Sequence, residues 1–135
     1  MNKSRRKELS RISDELFESY GELSSFMDGM PEEQEIAMNR ELEDSLNSIL
    51  SDIESIKDDL EIVKDEEEMA LDNLPDSLRY SEKGETMEEN VGEMEAIILM
   101  IEDVMDEFEY TEKKEEVVFE ALYDAVGLIK EIAER

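Results

Sequence analysis

The 135-residue chain carries 41 acidic and 14 basic residues, a formal net charge of −27, and it contains neither cysteine nor histidine. This length suits one helical domain, predicted to span residues 1–135. The missing residue types exclude disulfides, thiolate nucleophiles, the usual zinc ligands and the commonest general base. The composition therefore favours a protein that is not an enzyme and that uses no cofactor or metal.

The hydropathy pattern predicts a soluble, cytoplasmic protein. No apolar stretch follows the basic start, and the longest apolar run, residues 96–101, is too short for a membrane span. Disorder is not expected, because apolar periodicity persists for dozens of residues. A halophilic source would also give an acid excess, and the sequence leaves that alternative open.

Helix 1 is predicted over residues 4–28, with Ser4 as its N-cap. Its apolar face comprises Leu9, Ile12, Leu16, Tyr20, Leu23 and Met27. The helix opens with a basic cluster, formed by Lys3, Arg5, Arg6, Lys7 and Arg11. Cations oppose the helix dipole at this end, so we expect them to pair loosely with nearby carboxylates. A contact site for a partner's acidic groups is the alternative.

Helix 2 is predicted over residues 31–73, antiparallel to helix 1, because Gly29 suits a helix end and Pro31 a helix start. Its apolar residues repeat at alternating spacings of three and four: Leu42, Leu46, Ile49, Ile53, Ile56, Leu60 and Val63. The pattern slips where Glu67 occupies a core position. Pro75 ends the helix, which predicts a hinge over residues 74–81.

Helix 3 is predicted over residues 82–134, with Ser81 as its N-cap. The same spacing resumes at Met87, Val91, Met94, Ile98, Ile101, Met105 and Phe108 and, after Glu112 and Glu115, returns at Phe119, Leu122, Val126 and Ile129. A bend at residues 110–116 is expected at the interruption. We prefer a continuous or bent helix because no glycine or proline marks a turn there. A break that folds the end back as a fourth helix is the alternative.

The fold class follows from these helices. We predict an all-α antiparallel coiled-coil hairpin of two long helices, with the shorter helix 1 packed at its base. Pairing outward from the hinge places Ile56 near Ile101 and Ile49 near Phe108. The base would be a three-helix bundle, and the rest a two-helix arm.

The hinge and its flanks contain three segments: DEEE at residues 65–68, DNLPDS at 72–77 and SEKGETMEE at 81–89. Together with the basic start, they resemble small acidic helical proteins of bacteriophages and mobile elements over roughly residues 60–105. The resemblance implies a phage setting, and therefore the cytoplasm of a host cell. It carries over no functional residues.

The negative charge is distributed unevenly along the chain. Residues 32–73 hold sixteen acids and three bases, and residues 84–135 hold seventeen acids and four bases, so each segment has a net charge of −13. The two long helices together would form a rod whose charge per unit length approaches that of duplex DNA, which carries about one charge per 1.7 Å. Ordinary coiled coils balance Glu with Lys, whereas here self-repulsion costs stability.

The charge therefore predicts an inhibitor that acts as a DNA mimic, and the resemblance implies that it is phage-encoded and of the anti-restriction or anti-CRISPR type. It would bind a basic surface of a host nucleic-acid-binding protein as a DNA mimic. It would not itself bind nucleic acid or membranes. The sequence leaves open whether the protein forms a homodimer. The predicted partner-binding acids are Asp58, Asp59, Glu61, Asp65, Glu66, Glu68, Glu88, Glu89, Glu95, Glu102, Asp103 and Asp106.

Two alternatives remain. One is a structural, assembly or scaffold protein that uses the coiled coil as a spacer. The other is an all-α nucleotide pyrophosphatase, whose two helices bear Glu-x-x-Glu and Glu-x-x-Asp, a pattern similar to residues 18–23 followed by 41–44. Ser19 stands where the first pair needs a carboxylate, which weighs against this metal enzyme.

Overall fold

The computed structural model describes the backbone of residues 1–28, 40–110 and 116–135, and the side chains of residues 1–25, 44, 47–106 and 121–135. Within these residues every regular element is a helix, so the predicted all-α class is confirmed. The helices are α1 (Lys3–Asp28), α2 (Arg40–Asp72), α3 (Asp76–Arg79), α4 (Glu82–Tyr110) and α5 (Glu116–Glu134). The predicted break at Gly29 and Pro31, and residues 31–39 of predicted helix 2, lie outside the described residues.

The four long helices form a ring. The packed pairs are α1 with α2, α2 with α4, α4 with α5, and α5 with α1. Pairs of contacts give the helix directions, because residues later in one helix meet residues earlier in its neighbour. For α1 and α2 the contacts are Arg5–Glu67 and Arg11–Asp59, and for α2 and α4 they are Lys57–Glu102 and Glu67–Asn90. For α1 and α5 they are Ser13–Val126 and Tyr20–Tyr123, so neighbouring helices run antiparallel all round the ring. The fold is therefore an up-down-up-down four-helix bundle.

The prediction of one continuous or bent helix over residues 82–134 is wrong. A continuous helix would separate Glu93 from Arg135 by about 63 Å, yet their side chains lie 2.8 Å apart. Because α5 runs back along α4, it buries Leu122, Ile129 and Ile132. Burying each such side chain contributes about 1.5–3 kcal/mol, which a helix extending past the bundle would lose. Residues 111–115, within the predicted bend, lie outside the described residues.

The three-helix base with a two-helix arm is also wrong, because α1 reaches the hinge end of the bundle. The Met1 amino group and the Arg5 guanidinium lie 3.7 and 3.4 Å from Glu67, near the end of α2. Asn2, rather than the predicted Ser4, caps α1, since its Oδ1 accepts a 2.8 Å hydrogen bond from the Arg5 amide. Helix α1 therefore covers α2 to its end.

The core runs through all four long helices. Its fully buried side chains are Leu9, Ile12, Leu16, Leu23, Ile53, Leu60, Met94, Ile101, Leu122, Ala125 and Ile129. Ile97 and Val104 are also buried, although they lie outside the predicted seam of α4. They widen the apolar surface of α4 on the side that α5 covers.

The predicted pairing of Ile56 with Ile101 stays a prediction, but the sequence neighbours of these residues, Lys57 and Glu102, are in contact. The predicted pairing of Ile49 with Phe108 involves the Phe108 side chain, which lies outside the described residues.

The hinge is closed by local contacts. Pro75 accepts backbone hydrogen bonds from Leu78 and Arg79, which form the single turn of α3. Arg79 donates to the Leu71 carbonyl of α2 at 3.4 Å, a favourable place for a cation at a helix C-terminus. The predicted cap Ser81 donates its hydroxyl to the Leu78 carbonyl instead of accepting from α4.

The missing side chain of Gly84 allows α4 to pack closely against α3, so adding a side chain at this position should destabilise the fold. A Cβ at residue 84 would overlap the Arg79 carbonyl oxygen and lie 2.7 Å from that of Leu78. We expect Gly84→Ala to cost about 1–3 kcal/mol in the free energy of unfolding. A Cβ at Gly92 meets nothing within 4 Å, so the matched Gly92→Ala should stabilise by up to about 1 kcal/mol. Urea denaturation tests both, and stabilisation by Gly84→Ala would contradict the packing.

A polar network fills the core at the hinge end. Glu67 is 0% exposed and accepts from Arg5 and, at 3.3 Å, from the Asn90 amide. The Asn90 carbonyl oxygen in turn accepts from Arg135 at 3.3 Å, and Arg135 pairs with Glu93. The slip of the apolar pattern at Glu67 therefore reflects a buried carboxylate whose polar partners come from the N-terminal residues and from α4.

Candidate interaction face

Two ion pairs fix the rotation of α2 within the bundle. Asp59 pairs with Arg11 on the side of α1, and Lys57 pairs with Glu102 on the side of α4. With 3.6 residues per turn, the acids spaced three or four apart from residue 54 to residue 72 form one row. The row lies at the outer edge of α2 beside α4 and contains Glu54, Asp58, Glu61, Asp65, Glu68 and Asp72.

A second row lies on α4. Glu102 faces α2 through Lys57, whereas Glu93 faces α5 through Arg135, so the two edges of α4 are identified. The edge beside α2 carries Glu88, Glu95, Glu102 and Asp106. We call these two rows together the acidic face. Each row spans 19 residues, with about 27 Å between its first and last residue, and the antiparallel packing sets the rows side by side.

The structure brings eight of the twelve predicted acids together on this face and disperses four. Asp59 and Glu66, seven residues apart, lie on the side of α1, where Asp59 binds Arg11. Glu89 lies on the side of α5, one turn from Glu93. Asp103 is exposed and points away from the bundle. Nine of the twelve are exposed, and Asp59, Glu61 and Glu102 are partly buried.

Sequence reasoning missed Glu54 and Asp72, which extend the row on α2 at both ends. Both side chains are exposed. The signal was present, because they continue the alternating spacing through Asp58 and Glu68. The choice between the two edges of α2 needed the positions of α1 and α4.

The face is not uniformly acidic. Lys57 is only 15% exposed and lies 3.9 Å from Asp58 as well as 3.5 Å from Glu102. Lys64, one heptad later, lies 3.4 Å from Asp65. Leu99 is 56% exposed between the acids of α4. Lys57 joins α2 to α4, Lys64 pairs with an acid of its own helix, and the outer edge remains strongly negative.

Cations elsewhere join helices and neutralise acids away from the face. Arg11 binds Glu8, Glu15 and Asp59. The hydrogen bond from Arg11 lowers the pKa of Glu8, and the bonds to Glu8, Asp59 and Glu15 raise the pKa of Arg11. The hydrogen bond to Glu93 likewise raises the pKa of Arg135. The basic cluster of α1 thus uses Arg5 and Arg11 to bind carboxylates of this chain.

The described residues offer no arrangement of acids typical of a metal site or of the pyrophosphatase alternative. Among them, no group of three or more carboxylates is arranged to hold a metal ion. Glu18 and Glu22 of the pyrophosphatase-like pattern are exposed on α1, and the side chain of Glu41 lies outside the described residues. None of the described helices is both long and apolar enough to cross a membrane.

Comparison with protein-family models, with curated proteins and with solved structures found no match to this chain.

Proposed function

We propose that the protein is a non-enzymatic inhibitor that binds a basic nucleic-acid-binding surface as a DNA mimic. The observation that carries the proposal is the separation of charge between two halves of the bundle. Helix α2 has thirteen acids and three bases, and α4 has eleven acids and one base, so each has a net charge of −10. Helix α1 has six acids and five bases, a net charge of −1.

The spacing of charge on the acidic face supports the proposal. Its ten carboxylates and two lysines leave a net charge of −8 over about 27 Å of axis, on the order of one charge per 3.4 Å, against about one per 1.7 Å for duplex DNA. Two helices side by side are about 20 Å wide, which is comparable with a duplex. A basic groove that accepts DNA would therefore meet a negative ridge of similar width and about half the line charge.

The electrostatic cost of placing α2 next to α4 also supports the proposal. Placing α2 and α4 next to each other sets two helices of net charge −10 in contact, and self-repulsion weakens the compact state. An arrangement in which each acidic helix neighboured only α1 and α5 would separate them. The resemblance to phage proteins suggests a host defence nuclease, or another nucleic-acid-binding protein of the host cytoplasm, as the target.

Reversing charge on the acidic face should abolish partner binding. We expect a variant with Glu61, Glu68, Glu88 and Glu95 replaced by lysine to lose its partner while keeping its helix content, because the attraction is electrostatic. The measurement is capture of partners from nuclease-treated bacterial lysate on immobilised protein. It is followed by elution with increasing salt, competition with duplex DNA and circular dichroism of each variant. Wild-type binding should weaken steeply with salt.

A matched control changes the net charge equally on the other half of the bundle. It replaces the exposed acids Glu18, Glu22, Asp124 and Glu134 with lysine. This variant should retain the partner if the face matters, and should lose it if only net charge matters. Retention of the partner by the acidic-face variant would contradict the mimic and favour the scaffold alternative, in which surface reversals are tolerated.

A further inference from the structure

Three large apolar side chains are exposed on the strongly acidic half of the bundle. Ile62 is 57% exposed and Met69 is 64% exposed on α2, and Leu99 is 56% exposed on α4. Ile62 and Met69 are seven residues apart, so they share the edge of α2 that lies opposite its buried side. Among the described side chains of α2 and α4, these three are the large apolar groups that remain exposed.

Carboxylates surround each of these apolar side chains. On a helix surface, the nearest neighbours of a residue are those three and four positions before and after it. All four such neighbours of Ile62 are acids, as are three of the four around Met69 and around Leu99. The acids are Asp58, Asp59, Asp65 and Glu66 for Ile62, Asp65, Glu66 and Asp72 for Met69, and Glu95, Glu102 and Asp103 for Leu99. A partner that covers these side chains must therefore offer apolar groups bordered by cations.

The three apolar side chains lie close together along the bundle. The contacts Lys57–Glu102 and Glu67–Asn90 set the register of α2 against α4 and place Ile62 opposite about residue 96. Leu99 is therefore offset from Ile62 by about 4–5 Å along the axis, and Met69 lies about 10 Å beyond Ile62 on the other side. One partner groove about 15 Å long would contact all three.

The charge density of the acidic face matches that of one nucleic-acid strand. The face carries about one net charge per 3.4 Å of axis, and a single strand of B-DNA carries one phosphate per about 3.4 Å. Proteins that bind single strands combine a basic groove with aromatic side chains on which the bases stack. Apolar side chains set among carboxylates reproduce both features of an unpaired strand, its charge and its apolar bases.

We propose that the basic surface bound by the acidic face is a groove for single-stranded nucleic acid. This inference rests on the proposed DNA mimicry and identifies the class of site that is blocked. Aromatic side chains of the groove contact Ile62, Met69 and Leu99, and its lysine and arginine side chains pair with the surrounding carboxylates. A duplex-binding surface directs most of its contacts to phosphate and sugar and would leave the three apolar groups without a partner.

Competition between two forms of DNA tests the inference. The partner captured on the immobilised protein is displaced with a thymidine oligonucleotide of about 30 nucleotides or with a duplex of the same length. We expect the single strand to act at a phosphate concentration about tenfold lower or less, because its bases stack in the groove. Displacement by the duplex at the same or a lower concentration overturns this inference and leaves the DNA-mimic proposal standing. Displacement by neither form, or failure to capture a partner, overturns both.

Removing the apolar groups without changing the charge tests the same inference through the protein. A variant with Ile62, Met69 and Leu99 replaced by glutamine should bind the partner about thirtyfold more weakly or worse, as expected for apolar hot spots. The slope of log affinity against log salt should be unchanged, because the carboxylates remain. Circular dichroism should show wild-type helix content.

The matched control replaces exposed apolar groups on the other half of the bundle. Phe17, Tyr123 and Leu128 are 52%, 56% and 40% exposed on α1 and α5, and their replacement by glutamine should leave the affinity unchanged. Wild-type affinity of the first variant overturns the inference, as does an equal loss in the control. Neither result contradicts the DNA-mimic proposal, because both variants keep the wild-type charge.

Discussion

Replacing Ile129 with alanine is expected to lower the free energy of unfolding by about 2–5 kcal/mol. Ile129 is 0% exposed because α5 folds back between α1 and α4, so truncation leaves a cavity in the bundle core. Chemical denaturation followed by circular dichroism measures the loss, and the slope with denaturant shows whether the transition remains two-state.

The neighbouring residue supplies the control. Leu128 is 40% exposed, so Leu128→Ala should change stability by less than about 1 kcal/mol. Similar small effects at both positions would show that α5 does not pack into the core. The pair therefore distinguishes the four-helix bundle from a hairpin with a protruding helix end.

Replacing Arg5 with methionine is expected to cost about 3–5 kcal/mol, because it removes a cation that faces the buried carboxylate of Glu67. The remaining partners of that carboxylate are the Met1 amino group and the Asn90 amide. Thermal and urea denaturation at neutral pH measure the cost.

The reciprocal change should behave differently. Glu67→Leu fills the same core position with an apolar side chain, and Arg5, which is 14% exposed, can extend toward water. We expect this variant to be as stable as the wild type or more so. In the double variant the penalty of Arg5→Met should largely disappear, because no buried carboxylate remains. A penalty that persists in the double variant would assign the effect of Arg5 to packing alone.

Part of the acidic face could be predicted from the sequence. Acids three or four residues apart on a helix necessarily share an edge, which placed Asp58, Glu61, Asp65 and Glu68 together. Which edge faces a neighbour depends on helix rotation. The ion pairs Arg11–Asp59 and Lys57–Glu102 fix that rotation, and both join residues 45 or more apart in the chain. For this reason Asp59 and Glu66 were grouped with the face although they lie beside α1.

The sequence by itself determined the helical class, the hinge at Pro75, the buried stripe through Ile53, Ile56 and Leu60, and the concentration of charge on two helices. These depend on local periodicity, on proline geometry and on composition. Only the tertiary structure decided that α5 folds back, that α1 reaches Glu67, and that α2 and α4 are neighbours. An apolar stripe specifies that a face must be buried, but not which helix buries it. The extra apolar residues Ile97 and Val104 signalled a further neighbour for α4, and packing identified that neighbour as α5.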